Sequence, residues 1–192
     1  MKGIILAAGE SRRMGYPKAL LPFRGTTFLE HLITTLGGEV DPLVIVLGAE
    51  AKRIRAAITV PAGVAVLVNE NYEQGQLSSL KIGLRRRDAD AALVALVDHP
   101  CIGPELIAFM VRTYYEKHPP LLIPTYQGRR GHPMIFGGEL FGELLSAPLD
   151  QGARAVVKRH HALELEVDEA GILNDLDDPE TYTKVTGNAV PR

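Results

Sequence analysis

Short runs of Ile, Val and Leu alternate along the chain with stretches in which apolar residues return every third or fourth position. An uninterrupted apolar run of about four to eight residues reads as a strand buried on both faces; the longer spacing reads as a helix with one core-facing side. The strands so predicted are Gly3–Leu6 (in a run that opens at Lys2), Leu43–Leu47, Val64–Val68, Ala91–Val97 and Leu121–Pro124, with shorter ones at Pro133–Phe136 and Leu163–Val167. Thr27 followed by Glu30 fits a capping box, which gives that glutamate a structural task at a helix start. Leu106, Ile107, Met110 and Tyr114 make one apolar face after Pro104, a residue suited to a first helical position. Leu140, Phe141, Leu144 and Leu145 repeat the pattern, and Asp178-Pro179-Glu180 reads as N-cap, proline and first-turn acid. Arg85, Arg86 and Arg87 close a further helix, where cations meet the negative end of its dipole. His160 and His161 end another, capping carbonyls or facing solvent. Strand alternating with helix predicts βαβ units on a mainly parallel sheet. Without repeats, linkers or low-complexity segments, the 192 residues are expected to form one α/β domain spanning 1–192.

Composition removes several classes of partner. The net charge is −2 and the basic residues are scattered, so neither nucleic acid nor an anionic membrane is expected to bind. The opening apolar stretch stops at Ala8, too early for a signal peptide, and no segment approaches a transmembrane span. Cys101 is the sole cysteine, which rules out an internal disulfide and fits a reducing cytoplasm. It is expected to behave as a small buried apolar residue rather than a nucleophile.

The candidate chemistry begins directly after the first strand. Residues 6 to 18 read Leu-Ala-Ala-Gly-Glu-Ser-Arg-Arg-Met-Gly-Tyr-Pro-Lys. A loop of this kind offers successive backbone N–H groups to a polyphosphate, with Arg13 and Lys18 as cations. Gly9 and Gly15 let the backbone approach a ligand or take positive φ. The spacing excludes a Walker A loop, because five residues separate Gly9 from Gly15 and Tyr16 follows. It also lacks the Gly-x-Gly-x-x-Gly of a dinucleotide fingerprint.

Open parallel sheets bind ligands at the carboxyl ends of their strands, so the polar residues leaving those ends are the ones to compare. Asp98 follows the apolar run Ala-Leu-Val-Ala-Leu-Val, and the next helix starts only at Gly103-Pro104. It is therefore free of a capping task and is a metal-binding or catalytic candidate. Asn174-Asp175-Leu176-Asp177 reads as carboxylates alternating out of a short strand, which places Asp175 and Asp177 on one face. Magnesium takes one or two carboxylates plus substrate phosphates, so Asp98 with Asp177 or Asp175 suffices. Ser11 has no evident base partner, so a serine nucleophile is not expected. No His/Cys spacing suggests zinc.

Together these residues resemble the MobA/MocA-like nucleotidyltransferases. The opening matches the family pattern at Leu6, Gly9, Ser11, Arg13, Met14, Gly15 and Lys18. The stretch Asn69 to Gly83 is similar to the family's second nucleotide segment, and Val97-Asp98-His99-Pro100 to its metal-binding Asp-Met-Pro, with His99 where methionine is usual. Gly131-His132-Pro133 and Asp150-Gln151-Gly152-Ala153-Arg154 resemble the cytidylyltransferase-like branch. Asp175-Leu176-Asp177-Asp178-Pro179-Glu180 resembles the family's closing segment.

The resemblance implies a Rossmann-like, three-layer nucleotidyltransferase fold of the nucleotide-diphospho-sugar transferase type, with a mostly parallel sheet. It also implies a magnesium-dependent transfer of CMP from CTP to the phosphate of a molybdopterin-type cofactor, with loss of pyrophosphate. By the same analogy Arg13, Lys18 and Asp98 are catalytic, and Mg2+ is held by Asp98, Asp177 and Asp175. Leu6, Ala7, Ala8, Gly9, Ser11, Gly15, Asn69, Gly75, Ser78 and Ser79 surround the nucleotide. His132 is placed against the acceptor, and Arg154 either binds the acceptor or pairs with a surface acid. Ala7 and Ala8 favour CTP, since the family's guanosine branch carries Leu-Ala-Gly-Gly and a methyl at Ala8 crowds a purine. A molybdoenzyme or its chaperone is the implied recipient of the product. Two other readings remain open: a transferase acting on a sugar phosphate or another phosphorylated small molecule, and an accessory protein that binds nucleotide or cofactor without catalysis.

Overall fold

β1 (Lys2–Ala7) buries all six of its residues, with Ile4 and Leu6 turned to one side of the sheet and Ile5 and Ala7 to the other. A strand covered on both faces is what a continuous apolar run provides. The computed structural model describes residues 1–85 and 89–191, so the expected roles of Arg86 and Arg87 at a helix end lie outside the described residues. The chain continues through a small hairpin of β2 (Pro22–Phe23) and β3 (Thr26–Thr27) into α1 (Phe28–Gly37), β4 (Leu43–Leu47), α2 (Ala51–Ala57), β5 (Ala65–Val68), α3 (Gln76–Leu84) and β6 (Ala91–Leu96). The second half comprises α4 (Pro104–Lys117), β7 (Leu121–Tyr126), β8 (Arg129–Arg130), β9 (Met134–Gly137), α5 (Phe141–Ser146), α6 (Arg154–Arg159), β10 (Leu163–Glu166) and α7 (Pro179–Thr186).

The main sheet runs β10-β7-β9-β6-β1-β4-β5, with β8 paired to β7. β1 lies parallel to β4 and β6, with Ile5 opposite Ile45 on one side and Ala95 on the other. β9 alone runs against its neighbours β6 and β7 within the central path. From β1 the chain steps to β4 and β5, then crosses back to β6 on the far side of β1. That reversal opens a crevice beyond the carboxyl ends of β1 and β6. Phe28, Leu32 and Leu36 of α1, Ile107 and Met110 of α4, and Tyr182 of α7 cover one face of the sheet. Leu77, Leu80 and Leu84 of α3, Phe141 and Leu144 of α5, and Val156 of α6 cover the other. The three-layer α/β fold is as the sequence predicts.

Local signals account for several boundaries. Thr27 Oγ1 accepts the Glu30 N–H at 3.2 Å while Glu30 Oε2 accepts the Thr27 N–H at 3.2 Å, completing the capping box. Asp178 Oδ1 accepts the Thr181 N–H at 2.9 Å and starts α7. Tyr182 is fully buried, and its hydroxyl donates to the Pro22 carbonyl at 2.8 Å, fastening α7 to the β2–β3 hairpin. Among the described residues no helix is long and apolar enough to cross a membrane.

Some expectations need correction. Residues 174–178 are not a strand: no neighbouring strand receives them, and the Leu176 N–H donates instead to the Asp98 carbonyl at 2.9 Å. Leu176 is nonetheless fully buried, which leaves Asp175 and Asp177 flanking it on the site side. His160 neither caps carbonyls nor stands free in solvent. It hydrogen-bonds Glu143, which Arg159 also contacts at 2.5 Å, because α5 brings that carboxylate beside the end of α6.

Candidate active site

The loop after β1 is folded back on itself by Ser11. The Met14 and Gly15 N–H groups both donate to the Ser11 carbonyl at 3.0 Å, and Ser11 Oγ accepts the Lys18 N–H at 3.0 Å. Ser11 adopts φ +53° and Gly15 φ +69°, the left-handed region expected at the glycine. Met14, buried in the core, anchors the middle of the loop. Lys18 is thereby returned over the carboxyl end of β1. Gly48 fixes the first residues of the loop from behind: a Cβ there would lie 2.7 Å from the Ala8 carbonyl oxygen and 2.6 Å from Tyr72 Cβ.

Four charged groups meet at this end of the sheet. Lys18 is buried, and its ammonium donates to Asp98 Oδ2 at 3.2 Å and to Asp177 Oδ1. Arg13, largely exposed, pairs with the other oxygen of Asp177. An ammonium this buried requires such partners, since an unpaired charge in the interior is strongly destabilising. The helix α4 is capped from elsewhere, by Glu169 Oε1 accepting the Gly103 N–H at 2.9 Å, which frees Asp98 for the site as the sequence spacing indicates.

Three buried polar atoms here have no hydrogen-bond partner: Asp98 Oδ1, His99 Nδ1 and His132 Nδ1. Buried polar atoms are rarely left so, and a missing ligand is one reason. One nitrogen of His99 and one oxygen each from Asp98 and Asp175 all lie within 4.8 Å of one another. This donor set fits a divalent metal ion. The Asp175 carboxyl is pushed above its usual range by partial burial and then by the charge of Asp98, with His99 and Arg13 opposing. His132 stands 5.0 Å from His99 between ring centroids, and is pushed down to about 4, first by burial and then by His99, with Asp98 opposing. Asp177 has both oxygens turned to Lys18 and Arg13 rather than to this group.

A cleft of about 290 Å³ opens over these groups. Of the residues predicted to surround a nucleotide, Leu6, Ala8, Gly9, Ser11, Gly75 and Ser79 line it, together with Lys18 and Asp98. Ala7, Gly15, Asn69 and Ser78 are not in its lining. Asn69 is buried behind the wall, its amide donating to Ser78 Oγ at 2.7 Å and Ser79 Oγ at 2.9 Å while Oδ1 accepts the Asn71 N–H at 3.0 Å. It positions the second segment instead of contacting the cleft. Glu10, Tyr72, Glu73 and Gln76 also line the cleft. Sequence reasoning missed them, although three of the four fall inside the Asn69–Gly83 segment it had marked.

A second hollow of about 370 Å³ adjoins the first and shares Leu6, Gln76 and Leu96 with it. His132 and Arg154, the two residues that the resemblance places against an acceptor, both line it. Its floor is apolar (Leu80, Val94, Met134 and Phe136), and Arg130 and Lys158 add two cations that the sequence had not singled out. Arg130 is held by Glu164, with Nη2 at 2.6 Å and Nε at 2.9 Å from Oε1. Cys101 is half-buried outside both hollows, and burial pushes its thiol away from the reactive thiolate form.

Comparison with known proteins agrees with this geometry. Residues 3–163 match the family described as MobA-like NTP transferase domain. The chain is 34% identical to nicotine blue oxidoreductase of Paenarthrobacter nicotinovorans over 82% of this chain and 81% of that one. It is 22% identical to the molybdenum cofactor cytidylyltransferase of Escherichia coli strain K12, over 93% and 92%. The crystal structure of Rv0371c from Mycobacterium tuberculosis in complex with manganese superposes with a TM-score of 0.80 at 29% identity, covering 98% of each chain. Names differ among these relatives, so the similarities establish kinship and leave the activity to the site. The family match begins within the strand that feeds the Ser11 loop and ends as β10 begins, taking in both hollows, and the chain therefore belongs to the MobA-like NTP transferase family of nucleotidyltransferases.

Proposed function

We propose that the protein transfers CMP from CTP to the phosphate of a molybdopterin-type acceptor. The acceptor phosphate oxygen forms a bond to the α-phosphorus, the bond from that phosphorus to the bridging oxygen breaks, and pyrophosphate leaves with the electron pair. The acceptor is already anionic, so no general base is required of the protein. The observation that carries the reading is the pair of adjoining hollows. One holds Lys18, Asp98 and the Ser11 loop; the other is apolar beneath three cations, and they meet at Leu6, Gln76 and Leu96.

In this reading the triphosphate draws Lys18 and Arg13 away from the carboxylates they now hold, and their charge is neutralised by phosphate oxygens. Gly75 and Ser79 border base and ribose, with Asn69 and Ser78 holding that wall in place. Ala8, backed by Gly48, narrows the pocket toward a pyrimidine. His132, Arg154, Arg130 and Lys158 face the acceptor. Asp98 and Asp175 would hold a divalent metal ion, for which the family resemblance implies magnesium, with Asp177 beside them; when bound, such an ion would supply charge neutralisation for the phosphates. The relative named a cytidylyltransferase supports the choice of nucleotide and acceptor, and a molybdoenzyme or its chaperone would receive the product. Such chemistry is mostly positioning and charge compensation, which two rigid adjoining pockets supply.

The test is pyrophosphate release with CTP, GTP, ATP or UTP, in the presence of magnesium and molybdopterin. Release confined to CTP and dependent on acceptor supports the reading. Release with GTP transfers it to guanylyl chemistry and removes the role given to Ala8. No release with any nucleotide, alongside tight nucleotide binding, favours the accessory role.

A further inference from the structure

We propose that the imidazole of His99 makes the Asp98–His99–Asp175 group a site for a first-row transition metal ion of the cobalt-to-zinc type in preference to magnesium. The proposal rests on nucleotidyl transfer only for the place of the metal in the reaction; binding itself follows from the donors. A nitrogen of His99 lies within 4.8 Å of an oxygen of Asp98 and an oxygen of Asp175, which also lie within that distance of each other. Ligands that neighbour one another around an ion with bonds of about 2.1 Å stand about 3 Å apart, so side-chain rotation closes the group.

Two features point to a metal rather than to a chance cluster. His99 is nine-tenths buried and its Nδ1 has no partner, and Asp98 Oδ1 is in the same condition. A polar atom buried without a partner is costly, and coordination removes the cost. Lys18 bonds to Oδ2 of Asp98 and leaves Oδ1 without a partner. Asp177 meanwhile answers the charge of Lys18, so the ammonium does not repel an ion unopposed.

The kind of ion follows from the nitrogen. Magnesium is hard, binds oxygen and gains little from imidazole, whereas imidazole affinity rises along the first transition row toward copper and remains high for zinc. Carboxylates alone would have left the site to magnesium; His99, next in the chain to Asp98, changes the donor set. Asp175 arrives from the far end of the chain, on the loop whose Leu176 N–H donates to the Asp98 carbonyl at 2.9 Å. The site therefore exists only in the folded protein.

Equilibrium dialysis of the full chain against cobalt(II) and magnesium, without nucleotide, tests the proposal. The unaltered protein should hold cobalt at least about a hundredfold more tightly than magnesium, and His99→Met should lose about tenfold or more of the cobalt affinity while magnesium binding stays within about twofold. Equal affinities for the two ions, or unchanged cobalt binding in His99→Met, would overturn it. Should His99→Met fail to fold, zinc titration of the unaltered protein labelled with nitrogen-15 histidine decides. A shift of the His99 ring nitrogens is expected. No shift there, or one confined to His132 or to His160 and His161, refutes the assignment. Cobalt bound through His99 without pyrophosphate release would sink the nucleotidyl-transfer reading alone, and release without such binding would sink this one alone.

Discussion

Replacing Asn69 with alanine separates a positioning role from direct contact with nucleotide. The side chain makes three hydrogen bonds, to Ser78 Oγ, Ser79 Oγ and the Asn71 N–H, and the residue is 1% exposed. At about 1 kcal/mol net for each bond, their loss costs about 3 kcal/mol. Ser78 keeps its bond to the Gly75 carbonyl at 2.7 Å, so the segment loosens without coming apart. For a chain of this length 1 kcal/mol corresponds to about 2–4 °C, so Tm should fall by about 6–12 °C. Ser79 and Gly75 line the cleft, and their looser placement should raise the KM for the triphosphate roughly tenfold with kcat changed by less than about threefold. Thermal unfolding and steady-state kinetics on the same preparation provide both numbers. An unchanged Tm with a raised KM would refute the reasoning, because it would mean that Asn69 acts on the nucleotide itself.

Asp98→Asn should fold and yet turn over about a hundredfold or more slowly, since metal-borne charge stabilisation is lost; a wild-type rate at saturating magnesium would count against the metal role. Lys18→Ala should both raise the triphosphate requirement and slow the chemistry, and a change in kcat alone, with triphosphate affinity intact, would contradict its place on the phosphates. Tyr182→Phe removes the bond to the Pro22 carbonyl and should cost about 1 kcal/mol, read as a Tm lower by about 2–4 °C with activity retained. A fully stable variant would show that packing alone holds α7.

Much of the architecture was legible because its signals are local. The run at β1, the Thr27–Glu30 capping box, Pro104 and Asp178 each act within a few residues, and each appears where the pattern placed it. The β2–β3 hairpin and β8 are two-residue strands, too short to show any period. The antiparallel course of β9 depends on pairing with β6 and β7, which its own four residues do not encode. At the site, the loop cations, Asp98 and the Gly75–Ser79 segment were visible as motifs. The meeting of His99 with Asp175 was not, because zinc-type spacing is sought within short stretches and these two residues are far apart in the chain. Asn69 was recognised by its place in a motif, but its bonds to Ser78 and Ser79 were not legible there. Residue type alone does not distinguish an amide that touches a ligand from one that braces the wall behind it.

The row of ion pairs joining Lys18 to Asp98 and Asp177, and Arg13 to Asp177, makes anion binding here an exchange rather than a simple addition. Any incoming phosphate must outbid carboxylates already in contact with the cations, so its affinity is a difference between two sets of bonds. The same carboxylates are at hand when a product anion departs. The protein therefore carries its own competitor, which tempers how tightly any one polyphosphate can be held and returns the cleft to a neutral resting arrangement after each departure.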